Sequence, residues 1–72
     1  MRNDDAFDIP GLIHDFHEAG DFDRVPTYSE VWRAAAGARI PAHRVGRVWM
    51  IHKQDRARVA ETLGLKRRPV AA

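Results

Sequence analysis

The chain has 72 residues, a formal charge of +2 and no cysteine, so we expect one small domain without disulfide bridges or zinc–thiolate clusters. No segment approaches the roughly 20 apolar residues of a membrane span, and the acidic start lacks the basic and apolar stretches of a signal peptide. We therefore expect a cytoplasmic protein that makes no membrane contact.

The charges are divided unequally between the two halves of the chain. Residues 1–38 carry 3 basic and 8 acidic side chains, whereas residues 39–72 carry 9 basic and 2 acidic side chains. Such polarity is typical of a protein with one face that attracts a polyanion and another that avoids it. The alternative is that both charge runs are ordinary solvated surfaces.

The N-terminal half predicts a helix after a flexible tail. Met1–Asp8 is acidic and shows no periodic pattern, so residues 1–8 are predicted to be a flexible N-terminal tail. Pro10 suits the first turn of a helix, where its missing N–H is harmless. An apolar stripe at helical spacing follows, made of Ile9, Leu12, Ile13 and Phe16. Gly20 ends this helix, and Asp21–Pro26 is a turn-rich connector.

The second helix has a clear start and stop. Thr27 is followed three residues later by Glu30, the spacing of a capping box. The helix is predicted to continue to about Ala36, with Gly37 as the residue just past its end. Pro41 prevents the helix from resuming.

A hairpin and a third helix complete the predicted domain. His43–Val45 and Arg47–Ile51 favour strands, and Gly46 between them supplies the backbone angles of a tight turn. Lys53–Leu63 is predicted to be helical, with Gly64 as its stop.

These elements define the expected domain and its core. The domain spans residues 9–64, and residues 65–72 are predicted to be a basic flexible tail. A core this small must be built from a few large side chains. The predicted core consists of Leu12, Ile13, Phe16, Val31, Trp32, Val45, Trp49, Ile51, Val59 and Leu63.

The segment TYSEVWRAAAGARIPAHRVGRVWMIHKQD resembles a known family of DNA-binding domains. It is similar to the excisionase-like branch of the MerR-like winged helix-turn-helix proteins, which tend to read recognition helix, "GRLPA", basic strand, "VGGRW" and terminal helix. The resemblance covers about Thr27 to Leu63. The chain departs from the family in its longer, acidic connector, Gly20–Pro26, and in a wing turn with one glycine.

The resemblance implies a fold and a function. The implied fold is α+β, a small winged helix-turn-helix with about three helices and a two-stranded β-hairpin wing. The implied function is sequence-specific binding of double-stranded DNA, in phage or bacterial excision or in transcriptional regulation. A nucleoid-associated location in the cytoplasm follows from that function.

The second helix supplies the candidate base contacts. In the major groove, residues near the start of a helix face the base edges. Arg33 is the best candidate for base recognition because a guanidinium can bond guanine O6 and N7 together. The alternative is a surface ion pair with Glu30 or Asp23. Trp32 is either a contact or, given its size, a core residue.

The hairpin supplies the candidate backbone contacts. Arg44 and Arg47 lie on either side of Gly46 and are predicted to contact phosphates or the minor groove. Arg56 and Arg58 are predicted to contact phosphates or complement helix ends. The full set of predicted DNA-binding residues is Tyr28, Ser29, Trp32, Arg33, Arg39, His43, Arg44, Arg47 and Lys53.

The size and the charge of the domain also predict its partners. A domain this small covers a short DNA site, so we expect self-association on DNA, head to tail or as a dimer. The acidic first helix is the expected surface for a protein partner such as an integrase or RNA polymerase. A protein-interaction adaptor that uses this helix is the alternative function.

No catalytic pattern is present in the sequence. There is no Ser-His-Asp arrangement and no glycine-rich phosphate loop, so we expect neither an enzyme nor a cofactor. His14 and His17 have the spacing of a helical zinc pair but need a third ligand, for which Asp21–Asp23 is the candidate stretch; surface histidines are favoured.

Overall fold

The structure is a computed structural model that describes residues 5–68. Within that range the chain is α+β, with three α-helices and one three-stranded antiparallel sheet. A short 3₁₀ turn, Lys53–Asp55, precedes the last helix. In chain order the elements are β1 (Ala6–Asp8), α1 (Ile9–Ala19), α2 (Tyr28–Ala36), β2 (His43–Val45), β3 (Val48–His52) and α3 (Arg56–Thr62).

The sheet has the order β1-β3-β2, so β3 is central. The prediction that residues 1–8 form a flexible tail is wrong for Ala6–Asp8, which pairs with β3 and places Phe7 opposite Ile51. Phe7 is partly buried against the core, and this packing holds the strand. A strand of 3 residues is too short to show an alternating pattern, which is why the sequence did not reveal it. The predicted two-stranded sheet is therefore three-stranded, and residues 1–4 lie outside the described range.

The turn of the hairpin contains two residues rather than one. Val45 pairs with Val48, so Gly46 and Arg47 form the connection and Arg47 is not part of the strand. Gly46 has φ +64°, while Arg47 is not in the left-handed region. A positive φ at the first of two central residues is the pattern of a type II′ turn, which matches the twist of paired strands.

The helix starts follow from short-range hydrogen bonds. The Asp8 carboxylate accepts the Gly11 N–H at 2.8 Å and caps α1, whose first turn contains Pro10 as predicted. At α2 the capping box is confirmed. The Thr27 hydroxyl accepts the Glu30 N–H at 3.2 Å, and the Glu30 carboxylate accepts the Thr27 N–H at 3.0 Å.

The end of α2 differs from the prediction by one residue. Gly37 has φ −86°, and the left-handed residue is Ala38 with φ +57°. The Ala38 N–H donates to the carbonyl of Ala35 at 3.1 Å, and the Arg39 N–H donates to that of Ala34 at 2.8 Å. This pair of bonds is a Schellman motif, which satisfies the last carbonyls of the helix.

The core lies between the three helices and one face of the sheet. Trp32 and Val45, predicted to be core residues, are instead exposed at 47% and 58%. Trp49 and Leu63 are partly buried against the core. The buried hydrophobic residues are Ile9, Leu12, Phe16, Phe22, Val31, Ala34, Ala35, Ile40, Ile51, Val59, Ala60 and Leu65.

The segment after α3 is packed rather than flexible as far as it is described. Leu65 is buried, and Arg67 forms an antiparallel bridge with Phe22 in the connector. The Asp23 N–H donates to the Lys66 carbonyl at 2.8 Å, and the Arg68 N–H donates to the Asp21 carbonyl at 2.9 Å. The predicted tail of residues 65–72 is therefore wrong for 65–68, and residues 69–72 lie outside the described range.

Arg56 joins α3 to α1 and to the connector. Its guanidinium donates to both oxygens of Asp21, at 2.8 and 3.0 Å, and its Nε contacts the Asp15 carboxylate. The guanidinium carbon lies 4.5 Å from the ring centre of Phe16 and 5.6 Å from that of Phe22. The hydrogen bond from Arg56 holds the pKa of Asp21 below its usual value. Arg56 therefore stabilises the fold, and the internal compensation of its charge leaves it less suited to the phosphate contact predicted for it.

Candidate nucleic-acid interface

The outer face of α2 presents aromatic and polar side chains together. Val31, Ala34 and Ala35 bury the opposite face of the helix, which turns the outer residues toward solvent. Tyr28 and Trp32 are four residues apart and are 53% and 47% exposed. Ser29 and Arg33 form a second exposed row at the same spacing. Two parallel rows therefore cover this face, one aromatic and one polar.

Glu30, the one acidic residue of α2, has its charge compensated. Arg24 donates two hydrogen bonds to the Glu30 carboxylate, at 2.8 and 2.9 Å. These bonds, together with the bond from the Thr27 backbone, lower the pKa of Glu30 to about 2. The alternative role proposed for Arg33, an ion pair with Glu30 or Asp23, does not occur within the described structure.

One groove joins α2 to the hairpin turn, and we call it the α2–hairpin groove. Tyr28 and Trp32 form its helix side, and Arg47, at the turn, forms its hairpin side. The start of α1 forms the floor between them. The residues that line the groove are Asp8, Ile9, Pro10, Tyr28, Trp32, Arg47, Val48 and Trp49.

The hairpin presents different residues on its two faces. Side chains alternate along a strand, so Arg44, opposite Trp49 in register, lies with it on the helix side. The Arg44 guanidinium carbon is 5.3 Å from the Trp49 ring centre, a cation–π distance. His43 lies on the outer face, where its ring centre is 5.8 Å from that of His52. The structure therefore brings Arg44, but not His43, to the same side as α2.

Two further predicted contact residues lie away from the α2–hairpin groove. Lys53 follows the end of β3 opposite to the turn, and its Nζ lies 5.5 Å from the Phe7 ring centre. Lys53 is six residues beyond Arg47 along β3, which corresponds to about 20 Å at a rise of about 3.3 Å per residue. Arg39 lies past the C-terminal end of α2, at the opposite end from Tyr28. These two cations can only act at the edges of a shared surface.

The positive charge around the groove is not compensated by ion pairs. Within residues 5–68, no ion pair involves Arg33, Arg39, Arg44, Arg47 or Lys53. Asp8 is the acidic residue in the groove, and its carboxylate is engaged as the cap of α1. A ligand in the groove therefore meets mainly aromatic and apolar side chains, with Arg47 as the cation at the hairpin side.

No pattern in the sequence indicated the floor of this groove. Asp8, Ile9 and Pro10 reach it because β1 pairs with β3 and directs the start of α1 beneath the turn. The apolar stripe placed Ile9 in a helix, but no local signal indicated the pairing of β1. The floor therefore depends on long-range strand pairing.

No protein-family model, curated protein or solved structure matches this chain. The described residues contain no group of three or more His, Asp or Glu side chains arranged to hold a metal ion. Among the helices of residues 5–68, none has the length and apolar character needed to cross a bilayer.

Proposed function

We propose that this chain is a sequence-specific double-stranded DNA-binding protein with a winged helix-turn-helix architecture. In this proposal α2 enters the major groove, and the Gly46–Arg47 turn contacts the backbone or the minor groove. The observation that carries the proposal is the α2–hairpin groove, which unites an exposed helix face with a basic turn. Its biological role would be that of an excisionase-type architectural factor or a transcriptional regulator.

The dimensions of the elements suit this ligand. An α-helix with its side chains is about 10–12 Å across, and the major groove of B-DNA is about 12 Å wide. The hairpin turn lies beside the helix rather than behind it, so both can contact one duplex. The uncompensated arginines on both elements provide the attraction to phosphate that dominates such binding.

The alternative function, a protein adaptor that uses the acidic first helix, receives less support. Asp15 of α1 and Asp21 just beyond it are both engaged by Arg56, which reduces the negative charge available to a partner. Glu18 remains exposed, beside His14 at 3.7 Å. As an adaptor, the protein would therefore have to bind its partner through a surface that is less acidic than the sequence indicates.

Selection from a pool of random duplexes, followed by sequencing, tests the proposal. We expect an enriched sequence, and binding to it that weakens steeply with salt, with a logarithmic slope of about −0.9 per phosphate contact. Arg33→Ala should broaden the base preference while leaving non-specific binding largely intact. The absence of any enriched sequence, together with no mobility shift of duplex DNA at low salt, would contradict the proposal and favour the adaptor.

A further inference from the structure

The aromatic row of α2 needs an explanation that general attraction to DNA does not supply. Tyr28 and Trp32 are more exposed than Trp49, although large apolar side chains are normally covered in a small domain. The Tyr28 hydroxyl and the Trp32 indole N–H can each donate to a phosphate, but such a contact leaves the apolar faces of both rings without a partner. Adjacent exposed rings at the centre of a basic surface indicate an apolar ligand group.

The position of the row specifies where that group lies. Tyr28 and Trp32 line the α2–hairpin groove and, with Ser29 and Arg33, also line a second concavity on the opposite side of the row. The row is therefore flanked by Arg33 on one side and by Arg47 on the other. Both cations lack ion pairs among residues 5–68, and Glu30, the acidic residue of α2, is compensated by Arg24. A polyanion held at both flanks would place its interior against the rings.

We propose, on the basis of the DNA-binding function above, that Tyr28 and Trp32 recognise thymine C5-methyl groups in the major groove. Of the features that bases present there, the thymine methyl is apolar, whereas the others are hydrogen-bond donors and acceptors. The DNA target of this chain therefore contains thymines opposite the start and second turn of α2.

The helix geometry limits the spacing of those thymines. Residues four apart in an α-helix are separated by about 6 Å along its axis. Consecutive bases of one strand are about 3.4 Å apart along the duplex. Tyr28 and Trp32 therefore match methyl groups about two base-pair steps apart when α2 follows the groove.

The test replaces thymine by deoxyuridine, which lacks only the methyl group and keeps every hydrogen bond of the base pair. The probe is the duplex enriched in the selection, with one thymine replaced at a time. We expect each replacement opposite α2 to weaken binding about threefold to fivefold, the effect of losing one buried methyl group. Replacements outside the bound site, on the same duplex, should have no effect and serve as the DNA control.

A cycle with protein variants assigns the effect to the aromatic row. Trp32→Ala and, separately, Tyr28→Ser should bind the thymine duplex more weakly and lose the response to deoxyuridine at their own position. Val45→Ala is the matched control, because Val45 is 58% exposed on the outer face of the hairpin. The Val45→Ala variant should retain the full loss of affinity on replacement of thymine by deoxyuridine. Circular dichroism verifies that each variant is folded. If Trp32→Ala does not fold, Tyr28→Ser alone tests whether the aromatic row causes the response to deoxyuridine.

The failure of this inference is distinguishable from the failure of the proposed function. If no duplex is bound, the proposed function is wrong and the inference falls with it. If an enriched duplex is bound but lacks thymines, or binds equally well with deoxyuridine, only the inference is overturned. A stronger affinity for the separated strands than for the duplex would also overturn it, since the rings would then stack on unpaired bases.

Discussion

Two regions of this molecule contain arginines and aromatic rings, but they use them in opposite ways. Between α1 and α3, Arg56 is enclosed by Phe16 and Phe22, and its charge is compensated by Asp15 and Asp21. Around the α2–hairpin groove, Arg33 and Arg47 have no ion pair within the described chain. Arg56 therefore serves the fold, whereas Arg33 and Arg47 remain available to a ligand, although Arg47 and Arg56 both belong to the basic half of the sequence.

The largest expected effect is on the compensated side. Arg56→Ala leaves two carboxylates without their partner and uncovers two phenylalanine rings, so we expect a loss of about 2–3 kcal/mol in the free energy of unfolding. Denaturant unfolding measures this loss. Arg58→Ala, an exposed neighbour on α3, is the matched control and should change stability by less than about 0.5 kcal/mol. Equal losses in the free energy of unfolding for Arg56→Ala and Arg58→Ala would contradict the structural role assigned to Arg56.

At the α2–hairpin groove we expect the opposite result, a change in binding without a change in stability. Arg47→Ala should leave the free energy of unfolding nearly unchanged, because Arg47 is exposed and makes no ion pair within residues 5–68. It should weaken binding to every duplex and reduce the slope of log affinity against log salt by about one unit. Fluorescence anisotropy at several salt concentrations measures both quantities. An unchanged slope would mean that the turn does not contact phosphate.

A smaller effect tests the compensated carboxylate on α2 itself. The pKa of Glu30 is lowered from its ordinary value of 4.5 to about 2, chiefly by the hydrogen bonds from Arg24. A lowered carboxylate pKa stabilises the folded state above pH 4.5, and this contribution is lost as the pH falls toward 2. Glu30→Gln can keep the capping box but not the ion pair, so we expect it to cost about 0.5–1 kcal/mol at neutral pH.

The pH dependence provides the control for that prediction. Because Asp21 also has a lowered pKa, the wild-type stability alone cannot isolate Glu30. The difference between wild type and Glu30→Gln should shrink as the pH falls from 4.5 toward 2. A difference that is constant over this range would contradict the assigned pKa.

The smallest effect concerns the helix end. Ala38 has φ +57°, which is unfavourable for a residue with a Cβ atom. Ala38→Gly should therefore stabilise the fold by about 0.5–1 kcal/mol, with the greater flexibility of glycine in the unfolded chain limiting the gain. Thermal unfolding monitors the change. Gly37→Ala provides a comparison, because Gly37 is not left-handed. Destabilisation by Ala38→Gly would contradict the Schellman geometry.

Local signals in the sequence predicted part of the fold. The capping box, the proline at the start of α1 and the strand preference around Gly46 each depend on neighbours along the chain, and their elements are present. The strand β1 and the pairing of residues 65–68 with the connector depend on backbone hydrogen bonds between distant segments. Such bonds leave no periodic pattern in a short segment, so the sequence indicated tails.

The candidate site also combines features that the local sequence predicts with features that depend on contacts between distant segments. The outward face of α2 follows from helical spacing, and the position of Arg47 beside Gly46 follows from the turn. The compensation of Arg56 by Asp15 and Asp21 depends on the packing of α3, which no local pattern describes. The exposure of Trp32 also depends on packing, because the smaller residues Ala34 and Ala35 occupy the buried face of α2.

Backbone amide chemical shifts of the labelled protein, recorded while the selected duplex is added, test the central claim most directly. If α2 and the hairpin turn form one DNA-binding surface, the largest changes will occur together at Tyr28–Arg33 and Gly46–Trp49. The amides of His14–Glu18 on α1 will then change little. Changes concentrated on α1, or on only one side of the α2–hairpin groove, would contradict the account.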